Sequence, residues 1–133
     1  MAYVEGFVIP VPIANREKFT AASEVMDVVF LEMGATRVVE CWGDDVPEGK
    51  VTDFRRAVAA EEVEAVVFSW IEWPDKATRD AGHGRMGEVM ETDPRFRDAP
   101  ILFDGKRMIF GGFTPVVDIP ARAAPTTMIG ETP

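Results

Sequence analysis

The stretch Glu64 to Trp73 constrains this chain most. Its middle, Ala65 to Ile71, is almost wholly apolar or small and rich in β-branched and aromatic residues. That is the composition of a strand covered on both faces, since a half-exposed strand would alternate with polar residues. A strand of this kind has to lie inside a sheet, with other strands before and after it in the chain.

Those strands are visible. Tyr3 to Val11 alternates, with Tyr3, Phe7, Ile9 and Val11 on one face and Val4, Gly6 and Val8 on the other, until Pro10 and Pro12 end its hydrogen-bond donation. Asn15 suits a helix cap. Phe19, Ala22, Met26, Val29, Phe30 and Met33 follow at helical spacing, with Gly34 as the terminator. Thr36 to Asp44 reads as a second strand, with Arg37, Val39 and Cys41 opposite Val38, Glu40, Trp42 and Asp44. After a Pro- and Gly-containing loop, Val51 to Ala60 reads as an extra extended segment forming a hairpin with the central strand, although Arg55 to Glu64 also tolerates a helix. Trp73-Pro74-Asp75 opens a second helix. Gly82, Gly84 and Gly87 weaken it by about 1 kcal/mol each, so it is expected to be kinked or to let something approach its backbone. Arg107 to Val117 forms the last strand, interrupted by Gly111-Gly112.

The order strand, helix, strand, strand, helix, strand is the ferredoxin-like βαββαβ plan, an α+β fold with an antiparallel sheet. Residues 1–118 are read as one domain, and 119–133, rich in Pro, Ala and Thr, as a flexible tail. Helices cover only one face of such a sheet. An apolar second face therefore calls for a second copy of the chain, which predicts a homodimer with sheets face to face.

Charge narrows the function classes. With 23 acidic and 14 basic residues the net charge is -9, which repels phosphate backbones and anionic lipid, so neither nucleic acid nor membrane is an expected partner. The start of the chain has no basic n-region or signal-like apolar run, and a cytoplasmic protein is expected. Cys41 and His83 are single residues of their type, so Cys/His metal sets do not arise, and neither a metal nor a cofactor is expected.

Candidate site residues come from convergent faces. Trp42 and Asp44 share one strand face, and Phe68, Trp70 and Glu72 another. Facing a helix that carries Arg79, Asp80 and His83, they would wall a small-molecule pocket between sheet and helices. Arg79 and His83 are spaced i and i+4, and His83 is the one side chain suited to general acid/base work near neutrality, so these two are the catalytic candidates. Arg55 and Arg107, with Asp53, Asp104 and Lys106 near strand ends, have the geometry to hold a carboxylate-bearing ligand. Each feature also has a plainer structural use: the tryptophans as core or interface anchors, the charges as ion pairs at the rim.

Five stretches together resemble the YbaA-like family of bacterial proteins: Tyr3 to Val8, Arg37 to Pro47, Gly49 to Arg55, Val66 to Pro74 and Phe103 to Phe113. The similarity spans roughly residues 3 to 118. It implies the dimeric α+β barrel fold, which antibiotic-biosynthesis-type monooxygenases and muconolactone isomerases share. The element order and the convergent aromatic and charged residues motivate the first functional expectation, a small-molecule pocket in a cofactor-independent oxygenase or isomerase. The alternative is a non-enzymatic dimeric interaction or stress-related module. The resemblance brings no catalytic motif with it, and His83 with its glycine neighbours departs from the family pattern.

Overall fold

The computed structural model describes residues 2–122. Four strands, β1 (Tyr3–Pro12), β2 (Arg37–Trp42), β3 (Glu64–Trp73) and β4 (Ile109–Phe113), form one antiparallel sheet in the order β2-β3-β1-β4. Two long helices, α1 (Arg16–Glu32) and α3 (Lys76–Thr92), connect them, and a single helical turn, α2 (Phe54–Ala57), precedes β3. This is the ferredoxin-like α+β architecture, with the expected β3 and β1 at its centre.

Register explains the residue pattern. β1 pairs with β3 along its whole length but with β4 only from Val4 to Val8. Pro10 and Pro12 therefore stand where one side of β1 has no partner, so their missing N–H groups cost no ladder bond. Side chains of one parity, Phe7, Ile9 and Val11 on β1 with Val67, Ile71 and Trp73 on β3, pack against α1 and α3 and form the two halves of the core. Glu5 and Ser69 share that buried face. The other parity, Val4, Gly6, Phe68, Trp70 and Phe113, faces away from both helices and lines an open concavity.

The local signals hold in part, and β4 is shorter than the Arg107 to Val117 strand read from the sequence. α1 ends as read: Gly34 has φ +109°, its N–H donates to Leu31 O, and that of Ala35 donates to Phe30 O, the paired bonds of a glycine-terminated helix. Asn15 does not cap with its side chain; its Nδ2 donates instead to Leu102 O at 2.9 Å, tying the helix start to the loop before β4. The hairpin expected at Val51 to Ala60 is absent. Asp53 caps α2 by accepting from the Arg56 N–H (2.7 Å) and also accepts from the Gly49 N–H (3.1 Å), which holds the segment in a compact turn with no ladder to β3. The tail expected from residue 119 lies outside the described residues from 123 onward.

Candidate functional site

Glu5 carries a carboxylate on the central strand and is only 1 % exposed. A charge so deeply placed is costly unless neighbours compensate it. Three side chains do. Trp73, opposite Tyr3 at the far end of β3, donates its indole N–H to Glu5 Oε1 at 2.8 Å. From α3 above, Arg79 Nε lies 3.3 Å and His83 Nε2 2.7 Å from Glu5 Oε2. The helical spacing of Arg79 and His83 is what delivers both to one carboxylate oxygen. Neither the Arg79 Nε nor the His83 Nε2 contact with Glu5 Oε2 is aligned as a hydrogen bond, so Glu5 Oε2 and Arg79 Nε retain unused capacity while buried.

The surroundings are fitted to this cluster. Asp75 caps α3 through the Thr78 N–H at 2.7 Å, which fixes where the helix begins and hence its register over β1 and β3. Gly82 fits closely under the helix, since a Cβ there would meet the Trp73 ring at 3.0 Å. The Tyr3 phenol occupies the space a side chain at Gly112 would need, and its ring lies 5.3 Å from Arg79 Cζ. Burial works against the Arg79 charge, but its hydrogen bond to Asp80 and its ion pair with Glu5 outweigh that and raise its pKa above the usual arginine value. Arg79 is thus a fixed cation, and His83, with 42 % of its side chain exposed, is where the cluster meets solvent.

The other expected site residues do not join it. Trp42 sits on the helix face beside Phe19, with Arg16 Cζ 5.2 Å from its ring. Trp70 is on the opposite face, packed on Phe68 at 5.8 Å, its indole N–H donating to Glu72 at 2.9 Å. The sheet itself therefore separates Trp42 from Trp70, and Trp70 from Arg79 and His83. Asp44 lies exposed beyond the end of β2. Arg55 spends its donors on the Glu64 and Glu61 carbonyls (2.9 and 2.8 Å). Arg107 forks onto the buried Glu64 carboxylate with two 2.6 Å bonds and reaches Asp104 and the Ala59 carbonyl as well. Both arginines fasten the start of β3, and the Arg107 fork holds the Glu64 carboxyl below its usual range.

Sequence reasoning missed Glu5, the centre of the cluster. One signal was present: a glutamate at a core-parity position of an otherwise apolar strand demands a buried cation. It also missed the carboxyl pair of Asp27 on α1 and Glu40 on β2, where burial, and then the hydrogen bond and repulsion from Glu40, push Asp27 up to about 8. On the far face, the concavity of about 930 Å³ is walled by Val4, Phe68, Trp70, Ile109 and Phe113, with Arg37 and Glu72 at its edge. Among the described residues no group of three or more His, Cys, Asp or Glu could hold a metal ion, and no helix is long and apolar enough to cross a membrane.

Comparison with known proteins agrees with this architecture. The protein YbaA of Escherichia coli K12 is 50% identical over 120 residues, covering 89% of this chain and 99% of its own, and that of Shigella flexneri gives the same figures. Among solved structures, a dimeric ferredoxin-like protein from an uncultured marine organism superposes with a TM-score of 0.58 at 13% identity, covering 90% of this chain and 100% of its own. A monooxygenase of Streptomyces coelicolor, in complex with nanaomycin D, gives 0.53 at 14% identity over 91% of this chain and 93% of its own. A NIPSNAP domain protein of Burkholderia xenovorans gives 0.52 at 15% identity, over 90% and 99%. These structures share the fold. Residues 2–105 match the family described as protein of unknown function (DUF1428), and with 50% identity to YbaA over 120 residues the chain belongs to this YbaA-like family.

Proposed function

We propose that the chain is a cytoplasmic homodimeric α+β-barrel protein that acts on a small molecule at the helix side of its sheet, as a cofactor-independent oxygenase or isomerase. The observation that carries this reading is the Glu5 cluster: a carboxylate 1 % exposed, held by Trp73, Arg79 and His83, with His83 half open to solvent. Both reaction classes begin by removing a proton from the substrate, which needs a positioned base next to a fixed charge. The monooxygenase of similar fold adds a precedent for such chemistry on this scaffold, by analogy alone. A panel of hydroxylated aromatic and polyketide-like compounds tests it: one class should raise the melting temperature and be turned over, and His83→Gln should abolish turnover while leaving binding in place. No thermal shift and no turnover with any class would refute it.

A second reading, a non-enzymatic dimeric module, draws on the open sheet face, where Phe68 is 44 % and Phe113 60 % exposed. Apolar rings gathered on one face are the mark of an interaction surface. Under it, variants at Glu5 and His83 should alter nothing beyond stability.

A further inference from the structure

We infer that the Tyr3 hydroxyl is the substrate-contacting hydrogen-bond donor beside the Glu5 cluster, that Gly112 is the residue that seats it, and that the molecule it holds is a neutral carbonyl compound. This rests on the reading of the cluster as a reaction site and names a further residue and a ligand class for it. Gly112 lies opposite Glu5 in the β1–β4 register, a cross-strand separation of about 5 Å between Cα atoms. A Cβ on Gly112 would collide with the oxygen and ring of the Tyr3 phenol. Gly112 does not adopt a positive φ, so the backbone does not demand glycine there, whereas the phenol does. From its place two residues before Glu5 on the same face of β1, Tyr3 thus leans over bare backbone towards the position opposite Glu5. Arg79 Cζ lies 5.3 Å from the same ring and holds it by a cation–π contact. A missing side chain and a cation together fix the phenol.

What the hydroxyl is free to do follows from its neighbours. The hydrogen bonds of the cluster run from Trp73 to Glu5 and from Arg79 to Asp80, and among the described residues none uses the Tyr3 hydroxyl. Tyr3 is half-buried and Gly112 exposed on the edge strand, so this donor stands at the open β4 side of the sheet rather than inside the core. The cations on this stretch of α3 are already matched: Arg79 by Glu5 and Asp80, and Lys76 by Asp80 at 3.3 Å. A carboxylate or phosphate would have to compete for them and would meet the field of a chain with net charge -9. A neutral carbonyl oxygen needs only a donor. Negative charge that builds on that oxygen as the substrate loses a proton is met by the hydroxyl, with the Arg79 charge close by.

The chain has one tyrosine, so a carbon label at Cζ reports this hydroxyl alone by NMR. Acetophenone is the probe, with ethylbenzene as the same shape lacking the acceptor oxygen and benzoate as the charged analogue. Acetophenone should shift the tyrosine signal and should bind Tyr3→Phe, which keeps the ring, about fivefold more weakly than wild type through the loss of one hydrogen bond. The infrared carbonyl stretch of the bound probe should lie lower in wild type than in Tyr3→Phe, a difference that a purely structural tyrosine would not produce. Gly112→Ala should lose as much affinity as Tyr3→Phe, and the double variant no more than either. Circular dichroism checks that the variants fold, and if Gly112→Ala does not, Tyr3→Phe alone decides. No acetophenone binding, equal affinity in wild type and Tyr3→Phe, or an unmoved tyrosine signal overturns the donor. Full affinity in a folded Gly112→Ala overturns the seat, and benzoate or ethylbenzene binding as tightly as acetophenone overturns the ligand class. Acetophenone held through Tyr3 with a silent compound panel would sink only the oxygenase or isomerase reading, and turnover that Tyr3→Phe leaves unchanged only this one.

Discussion

At the level of single residues, two buried glutamates organise the molecule, each matched by cations from distant parts of the chain. Glu64, 3 % exposed, is clasped by Arg107 across 43 residues of sequence. Removing the arginine leaves the Glu64 carboxylate with too few partners, so Arg107→Ala should lower the urea midpoint of unfolding at pH 7. Replacing both residues with apolar ones of similar size should restore most of the loss. Because the Glu64 carboxyl titrates below its unfolded value, the stability it contributes is present above about pH 4.5 and is lost as pH falls through its folded pKa. The Arg107→Ala deficit should therefore shrink at pH 3. Arg107 was legible as a charged residue near a strand end, but its commitment to Glu64 was not, since nothing in local spacing links the two.

Elements show where competing local signals were resolved by packing. The three glycines of α3 predicted a kinked or approachable helix, and it is one continuous helix from Lys76 to Thr92. The glycines differ in cause: Gly82 makes room for Trp73, whereas Gly84 and Gly87 face open space. Gly82→Ala should destabilise by about 1–3 kcal/mol through overpacking. Gly84→Ala and Gly87→Ala should each stabilise by roughly 0.5–1 kcal/mol in thermal or urea unfolding. Between α1 and β2, Asp27 is held protonated up to about pH 8. A folded pKa above the unfolded 3.8 means that stability declines as pH rises from about 4 to 8, because the unfolded chain releases the proton first. Asp27→Asn should then raise the melting temperature more at pH 8 than at pH 4.5.

For the whole molecule, the sheet has helices on one face and rings on the other. Ile109, Phe113 and Phe68 are 44, 60 and 44 % exposed there, beside Trp70. One similar solved structure is a dimeric ferredoxin-like protein, and a face-to-face homodimer would cover these rings. Sedimentation at micromolar concentration should give a dimer for the wild type and a shift towards monomer for Trp70→Ala or Phe113→Asp, the former weakening association by about 2 kcal/mol or more. Monomeric wild type would count against a second copy as the cover. On this account Trp70 serves the interface and Trp73, three residues along the same strand, serves the helix-side cluster.

The division between sequence and tertiary structure follows from the range of each signal. Strand parity, helical spacing and terminating glycines act over a few residues, so the order of elements, the central position of β3 and β1 and the two faces of β1 were determined by the sequence alone. The turn at α2 went the other way because an Asp53 cap outcompeted extended pairing within the same short stretch. Which faces meet depends on register across strands and on the height of α3 above the sheet. Only the tertiary structure decided that Trp42 and Trp70 lie on opposite sides and that Glu5, from the first strand, is where Trp73, Arg79 and His83 converge.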